Sequence, residues 1–429
     1  MKVQNSSPLA AAPPPIYAEF MKKHAGIAAL LVVALALRLT WGFIHGEEID
    51  SRLPDQYEYL QLGENLQNGH GLNFYDARFV QSVYAYRMPG YPLFVAAGRS
   101  VHAALFHQKL IDTLTVLATY LLARRWLDKG PSLFAAAAVA FNPFLIYFSS
   151  LLLSETLYTA LLVWGCLLLV SHPNFLWGGI VLALSVLVRP SAALLPVFLG
   201  IVSVFANYTP GLIETKKRWL RLPVGSTMLL LTVLVLFPWA LRNKAKMGQW
   251  IWLTTNGGVT RYDGFNAAAT GASDQSFLVQ PEMRILQHMS EVERDEYLSQ
   301  QANNWIRETW RNDALRLVRL TATKIARTWS PIPLSAEFGG KLLYKIAAGA
   351  YSIPLLTLSV VGLWASRLSR STRLFLLSPM LYFTMIHAVS VGSLRYRVPT
   401  EPLLAVLAAA GLMTILDRIR RRPAAGQAA

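Results

Sequence analysis

The sequence predicts an all-α polytopic membrane protein with about ten transmembrane helices. Hydrophobic residues make up 54% of its 429 residues and charged residues only 15%, with a mean hydropathy of +0.36. Soluble proteins carry closer to a quarter charged residues. Apolar runs recur along the chain, and several approach the ~20 residues that cross a bilayer. Basic clusters fall at alternate ends of successive runs, as the positive charge of short cytoplasmic loops requires.

Applied along the chain, this charge rule predicts that both termini are cytoplasmic. The predicted spans cover residues 26–45, 107–123, 131–149, 155–171, 175–188, 190–206, 224–242, 342–366, 373–391 and 399–416. Residues 89–106 are short, contain prolines and are interrupted by Arg99. We therefore expect them to form a helix that lies in the membrane interface and does not cross it.

The spans divide the chain into five parts. These are a cytoplasmic tail (1–25), a transmembrane module expected to be catalytic (26–242), a distal periplasmic loop or small domain (243–341), C-terminal transmembrane helices (342–416) and a cytoplasmic tail (417–429). The transmembrane module includes a first periplasmic loop (46–106) that is rich in acidic residues.

Short helices are also predicted in the two periplasmic regions. Apolar residues punctuate a polar stretch from 55 to 68, which indicates an amphipathic helix that ends before two glycines. In the distal region we expect an acidic helix over about 282–311 and a basic amphipathic helix over 313–329.

The net charge of +16 raises the possibility of a nucleic-acid partner. The positions of the basic residues instead follow membrane topology, so we expect membrane lipids and no nucleic acid as partners. The single cysteine, Cys166, lies in an apolar run and excludes a disulfide framework or a cysteine-based metal site. His45, His70 and His387 show no metal-ligand spacing. No motif identifies a cofactor, and a divalent metal stays possible.

Asp55, in the first periplasmic loop, is the foremost candidate for catalysis. A carboxylate in a partly dry pocket can take a proton from an incoming hydroxyl or amine. The alternative is that Asp55, which follows Pro54, caps the helix that begins there. Glu47, Glu48 and Asp50 are rivals that we expect to be solvated at the rim.

Glu155 begins the fourth predicted span on the same outer side as Asp55. It is the second catalytic candidate, and the alternative is a Ser-capped helix start with an acid near the positive end of the helix dipole. Three further residues are expected to line the cavity, namely Arg38, Tyr59 and Asp112. Arg38 could equally snorkel towards the interface, and Asp112 could make a polar contact inside the bundle.

Four arginines break the positive-inside pattern because they lie on or near the outer side. They are Arg87, Arg189, Arg395 and Arg397. Protein carboxylates or anionic lipids could neutralise them. A substrate phosphate suits the Arg395–Arg397 pair better, since a guanidinium group binds phosphate through two hydrogen bonds. Arg87 and Arg189 are further candidates for binding the donor phosphate.

The order of these motifs resembles the GT-C superfamily of polytopic glycosyltransferases between about residues 27 and 416. The shared elements are Arg38, Asp55-x-Tyr57-x-Tyr59-Leu60, Arg87-x-Pro89-Gly90-Tyr91-Pro92, Leu-Leu-Ala-Arg124-Arg125, Ser154-Glu155-Thr156-Leu157, Val188-Arg189-Pro190, Pro238-Trp239-x-x-Arg242-Asn243 and Arg395-Tyr396-Arg397-x-Pro399. The chain is most similar to bacterial relatives of the dolichyl-phosphate-mannose protein mannosyltransferases and of the lipid A aminoarabinose transferases.

This resemblance implies a sugar donor linked to a polyprenyl phosphate, a lipid, glycan or protein acceptor, and an active site that faces the periplasm from the bacterial inner membrane. It implies that Asp55 acts as catalytic base or positions the acceptor, with Glu155 as a second acid. Gln56 follows Asp55 where many members have another acid. The alternatives are a transporter or flippase, or a polymerase or ligase of lipid-linked glycans. A transporter would usually show two related halves, and this sequence shows none.

Overall fold

The computed structural model describes residues 16–46, 49, 53–171, 175–205, 223–334 and 341–421. Three of the acids considered above, Glu47, Glu48 and Asp50, lie outside the described residues. Within these ranges the chain is mainly α-helical, with one small β-hairpin.

Four segments of helix are long and apolar enough to cross a membrane. They are His24–His45, Val224–Met247, Leu342–Ala365 and Leu394–Arg420. Shorter apolar helices cover Glu155–Leu169, Leu176–Val188 and Pro190–Ser203. The chain is therefore a multi-pass membrane protein, while the predicted number of about ten spans stays a prediction.

The N-terminal half begins with a long helix, α1, that starts inside the predicted cytoplasmic tail. The helices are α1 (Ile16–His45), α2 (Pro54–Gln67), α3 (Gly90–Gly98), α4 (Val101–Ala123), α5 (Lys129–Ala140), α6 (Pro143–Phe148), α7 (Glu155–Leu169), α8 (Phe175–Val188) and α9 (Leu195–Phe205). Strands β1 (Phe74–Asp76) and β2 (Gln81–Val83) pair antiparallel between α2 and α3, with Tyr75 opposite Ser82.

The predicted span over 131–149 is broken, so expecting one continuous helix there was wrong. Pro143 has no amide hydrogen to donate. Asn142, which precedes it, accepts hydrogen bonds from the amides of Phe144 (2.9 Å) and Leu145 (3.2 Å) and starts α6 as its N-cap. One predicted helix thus becomes α5 and α6.

The segment 89–106 also differs from its prediction as a single interfacial helix. Arg99 has a left-handed backbone (φ 62°) that ends α3, and the Ser100 side chain accepts a hydrogen bond from the amide of Ala103 to cap α4. The second predicted span therefore begins at Val101 and not near residue 107. A β-carbon at Gly98 would lie 2.9 Å from the backbone of Ala104, so this tight junction requires glycine.

The distal region contains helices linked by 3-10 turns. The apolar helix α10 (Pro223–Met247) leads into it, and its own helices are α11 (Gly257–Gly264), α12 (Glu291–Asn312) and α13 (Ala314–Thr328). The predicted acidic helix is α-helical only from Glu291, because Ser290 and Glu293 form a reciprocal capping box there. Residues 281–288 before it are a 3-10 helix. The basic amphipathic helix lies close to its predicted bounds.

The C-terminal helices pack tightly around a buried final helix. They are α14 (Leu342–Ala365), α15 (Arg370–Ala388) and α16 (Glu401–Arg421), with two 3-10 turns, Leu394–Tyr396 and Val398–Thr400, before α16. A β-carbon at Gly362 would lie 1.9 Å from the carbonyl oxygen of Leu407. This close approach of α14 and α16 is typical of small residues at membrane helix interfaces.

Glu291 joins the distal region to the loop that was predicted to be the first periplasmic one. Its carboxylate accepts hydrogen bonds from the amides of Tyr84 (2.7 Å) and Ala85 (2.9 Å) and from the hydroxyl of Thr255. The Thr255 amide donates to the Ala85 carbonyl at 3.0 Å. The two regions therefore lie on the same side of the bundle.

Candidate active site

Five of the candidate residues meet at one end of the bundle. Asp55 is the second residue of α2 and Glu155 the first of α7. The arginines come from segments that flank helices: Arg87 precedes α3, Arg189 follows α8, and Arg395 lies in a 3-10 turn before α16. Because these segments end at the same level of the bundle, residues up to 340 positions apart come into contact.

Asp55 forms ion pairs with two arginines. Its Oδ1 lies 2.6 Å from Arg87 Nη2, and its Oδ2 lies 3.0 Å from Arg395 Nη2. Leu53 is the N-cap of α2, which excludes the N-cap alternative for Asp55. Burial alone would raise the pKa of Asp55, but Arg87 and Arg395 together outweigh burial and hold that pKa well below its ordinary value. Asp55 is 24% exposed, so a substrate can approach it.

Glu155 is fully buried and pairs with Arg395 and Arg189. Its Oε1 accepts a hydrogen bond from Arg395 Nε and lies 3.2 Å from Arg189 Nη1. Its Oε2 has no hydrogen-bond partner among the described residues. Ser154 makes no capping bond through its side chain, so the alternative of a Ser-capped helix start is not formed.

The structure adds Glu58 and Arg78, which sequence reasoning missed. Glu58 accepts hydrogen bonds from Arg87 Nε (2.5 Å) and Arg78 Nη2 (2.8 Å), and Arg78 also pairs with Asp76 at 2.6 Å. Burial, opposed by Arg87, leaves the pKa of Glu58 above its ordinary value. Its spacing from Asp55 is a usable signal, because residues three apart share a helix face. Arg78 is placed by the hairpin, which the sequence did not predict.

This paired-charge cluster contains equal numbers of acids and bases. Its members are Asp55, Glu58, Asp76, Glu155, Arg78, Arg87, Arg189 and Arg395. Tyrosine rings cover the cations: Arg87 lies 5.6 Å from the ring centres of Tyr59 and Tyr86, and Arg189 lies 5.9 Å from that of Tyr396. Tyr59, which was predicted to line the cavity, thus lies beside Arg87 of the cluster.

Arg397 does not join the cluster, although only one residue separates it from Arg395. Its guanidinium is 1% exposed and pairs with Glu401 at 3.0 Å. It also donates to the Ser330 carbonyl (2.9 Å) and the Ser352 hydroxyl (3.2 Å). With every nitrogen engaged in a buried network, Arg397 has a structural role and not the phosphate-binding role expected from the sequence.

Arg38 and Asp112 form a separate ion pair inside the bundle. Arg38 Nε donates to Asp112 Oδ2 at 2.5 Å, and both side chains are fully buried. The guanidinium also donates to the carbonyls of Ala34 (3.0 Å) and Ala140 (3.1 Å). Arg38 therefore does not snorkel. It satisfies carbonyls at the broken end of α5, and neither residue reaches the cluster.

An apolar groove of about 370 Å³ ends at the cluster. Its walls include the aromatic and aliphatic side chains of Trp41, Phe144, Tyr147, Leu343, Tyr344 and Leu394. Arg395 lies at its polar end, together with Ser393 and Arg327. Arg395 therefore faces both the groove and the two carboxylates, Asp55 and Glu155.

The cluster does not fit a divalent metal as it stands. Among the described residues, no group of three or more His, Cys, Asp or Glu side chains could hold an ion. Arg395 occupies the position between Asp55 and Glu155 that a shared cation would take. Both Asp55 oxygens are engaged by arginines, which leaves Glu155 Oε2 as a free oxygen.

No protein-family model and no curated protein sequence matches the chain. Several solved structures, however, match the chain. Archaeal oligosaccharyltransferase AglB from Archaeoglobus fulgidus, in complex with an inhibitory peptide and a dolichol-phosphate, matches 94% of this chain and 51% of its own, with 15% identity and a TM-score of 0.54.

The Archaeoglobus fulgidus enzyme in its apo form matches with 17% identity and a TM-score of 0.54, over 94% of this chain and 52% of that one. A third structure, tethered to an acceptor peptide, gives 16% identity, a TM-score of 0.52 and coverage of 94% and 51%. This chain thus spans about half the length of these neighbours. The structural neighbours are an oligosaccharyltransferase of the GT-C superfamily, and the chain has the GT-C fold.

Proposed function

We propose that the protein is a membrane glycosyltransferase. It moves a sugar from a polyprenyl-phosphate donor to a lipid, glycan or protein acceptor of the cell envelope, on the periplasmic face of the bacterial inner membrane. The observation that carries this proposal is the meeting of the apolar groove and the paired-charge cluster at Arg395. A lipid phosphate needs both surfaces: an apolar one for its chain and a cation for its head.

The structural neighbours support this proposal. One of them holds a dolichol-phosphate and a peptide, and another is tethered to an acceptor peptide. Because this chain spans about half their length, its own donor and acceptor are parts of the proposal.

In the proposed reaction, an acceptor oxygen bonds to the anomeric carbon of the sugar. The bond from that carbon to the phosphate oxygen breaks, and the lipid phosphate leaves with the electron pair. Arg395, with Arg87 and Arg189 nearby, stabilises the growing negative charge, since prepositioned cations need no reorganisation at that moment. Asp55 orients the acceptor hydroxyl and takes its proton.

The ion pairs of Asp55 explain how its basicity could follow donor binding. In the structure Asp55 is a weak base, because two arginines lower its pKa. A donor phosphate that draws Arg395 towards itself weakens one of these pairs and raises the pKa of Asp55. Glu155 restrains Arg395 from the other side. Asp55 would therefore become a competent base only when the donor is bound.

The test is sugar transfer by purified protein in vesicles that contain an isotope-labelled polyprenyl-phosphate sugar and envelope lipids. Wild type is expected to form a labelled acceptor, and Arg395→Lys to form it more slowly, because lysine cannot bridge two anions with one planar fork. Arg367→Lys is the matched control, since Arg367 is 74% exposed and pairs only with Asp417 among the described residues. No labelled acceptor from wild type would contradict the proposal.

A flippase of lipid-linked glycans is the second candidate, because the groove and Arg395 alone would suit it. Flipping has no use for a base at Asp55. Two results together would favour that function: wild type transfers no sugar, and Asp55→Asn still moves lipid across the membrane.

A further inference from the structure

We propose that one face of α13, with its neighbours, is a membrane-contacting surface that binds anionic phospholipid. The interfacial surface consists of exposed apolar side chains, namely Trp310, Leu315, Val318, Ile325 and Val389. The distal region would then be seated on the bilayer and not free in the periplasm. This inference does not depend on the glycosyltransferase proposal.

The apolar character of the surface follows from the helix period. Leu315, Val318, Ala322 and Ile325 follow one another at intervals of three and four residues and share one face of α13. The opposite face, which includes Leu317 and Leu320, packs into the protein. Packing inside the protein therefore accounts for the apolar residues of the buried face. It does not account for those of the exposed face.

The exposed side chains are large, and all of them except Leu315 line a groove of about 720 Å³. Trp310 and Val389 are each 63% exposed, Val318 is 56% exposed and Leu315 is 53% exposed. Trp310 lies at the edge of the interfacial surface. Tryptophan is typical of membrane interfaces, where one end of the indole is in apolar and the other in polar surroundings. A groove of this kind can take acyl chains.

The charges around the surface identify an anionic partner. Residues 305–328 contain six basic side chains and two acidic ones, a net charge of +4. Arg261 lines the groove, and Arg307, Arg311 and Arg319 are exposed on α12 and α13. These four arginines have no ion-pair partner among the described residues. Exposed arginines beside a lipid-facing helix attract acidic headgroups.

The position of the surface places it at the membrane. Val389 directly follows α15, an apolar helix of the bundle, so the groove begins where that helix ends. A β-carbon at Gly392 would lie 2.3 Å from the Lys324 carbonyl oxygen, which shows how closely α13 lies against the chain after α15. The interfacial surface therefore continues the apolar surface of the bundle.

Spin labels in nanodiscs test this inference. The only native cysteine, Cys166, is buried, so Val318→Cys provides a single reactive site. We expect the label at 318 to collide with oxygen several-fold more often, relative to a water-soluble nickel chelate, than a label at Asn304→Cys. Asn304 is exposed on α12 and does not line the groove. Equal ratios at the two sites would overturn the inference.

The lipid charge is tested by comparing phosphatidylcholine nanodiscs with nanodiscs that also contain phosphatidylglycerol. The collision ratio at 318 is expected to rise with phosphatidylglycerol, and the rise is expected to disappear in the variant Arg261→Gln with Arg319→Gln. An equal collision ratio in the two kinds of nanodisc would overturn the proposed preference for anionic phospholipid. Dipolar broadening between labels on two molecules would overturn the membrane assignment in favour of a second copy of the chain.

Discussion

Arg395 and Arg397 are two residues apart, yet their guanidinium groups lie in different networks. Arg395 lies in the first 3-10 turn and contacts Asp55 and Glu155, whereas Arg397 lies between the two turns and contacts Glu401. One arginine thus faces a groove and an open carboxylate, and the other is sealed inside the bundle. We expect substitutions at the two positions to have different consequences.

Asp55→Asn removes the charge that holds Arg87 and Arg395 while keeping the size of the side chain. If Asp55 takes the acceptor proton, turnover is expected to fall by roughly 10²–10⁴ while the protein still accumulates in the membrane. The measurement is initial rate at saturating donor, normalised to the amount of protein. A fully active Asn variant would transfer the proposed role to another acid, with Glu155 first.

Arg397→Met leaves the fully buried Glu401 without its cation. Removing one partner of a buried ion pair costs about 3–5 kcal/mol. We expect a lower denaturation temperature in detergent and a lower yield, in contrast to Arg395→Lys, which is expected to lose rate and keep its stability. Unchanged stability of the Met variant would show that the buried network contributes little.

Lys324 predicts a pH dependence of stability. Its Nζ is buried against the Phe265 ring at 3.3 Å, and burial, partly opposed by Asp263, lowers its pKa to about 8. The unfolded chain then binds a proton that the folded chain has lost, so stability rises between pH 8 and the ordinary pKa. The gain is at most about 3 kcal/mol. Lys324→Met should remove the rise in denaturation temperature between pH 7.5 and 10. If the rise persists in this variant, another group causes the pH dependence.

At the scale of helices, the break between α5 and α6 is supported from the far end of the chain. Asn142 Nδ2 donates to Glu401 Oε2 at 2.6 Å, while its Oδ1 caps α6. Glu401 is thus shared between Asn142 and Arg397. The break between α5 and α6 is therefore stabilised by α16. Since α6 forms part of the groove wall, α16 stabilises that wall as well.

Asn142→Asp keeps the cap, because both side chains serve well as N-caps. It replaces the donor with a second carboxylate beside Glu401, so we expect a clear loss of thermal stability. Asn142→Ser, which also caps but cannot repel Glu401, is the matched control. Equal stability of the two variants would show that the contact with Glu401 does not matter.

The helices and several cluster residues could be predicted because their signals are local. Apolar runs, prolines and arginines on the outer side of the predicted spans identify five site candidates in the sequence, and the structure brings all five together. They are Asp55, Glu155, Arg87, Arg189 and Arg395. The positions of Arg78 and Arg397 were beyond reach for a physical reason. Strands of three residues, such as those on either side of Arg78, are too short for an alternation pattern. Arg397 lies between two 3-10 turns, and the direction of its side chain depends on tertiary packing.

For the whole molecule, the contacts of Glu291 predict which surfaces share a compartment. Cysteines at Asn68 and Asn304 are expected to react with an impermeant thiol reagent from outside the cell, and one at Gly426, beyond the described residues, is expected to stay unlabelled. Labelling at Asn68 without labelling at Asn304 in a folded protein would be incompatible with the hydrogen bonds from Tyr84 and Ala85 to Glu291. Labelling at Gly426 would overturn the predicted cytoplasmic C-terminus.

The long sequence separation within the cluster has a consequence for biosynthesis. Asp55 and Glu155 are translated 340 and 240 residues before the arginine that pairs with both. Until residue 395 emerges from the ribosome, the ion pairs that remain to Asp55 and Glu155 among the described residues are those with Arg87 and Arg189. The unfinished cavity must stay hydrated, because unpaired charges are costly in hydrocarbon. The site therefore closes at a late stage of insertion. A ribosome that stalls before the last helix would leave a chain that contains both acids but lacks the arginine that joins them.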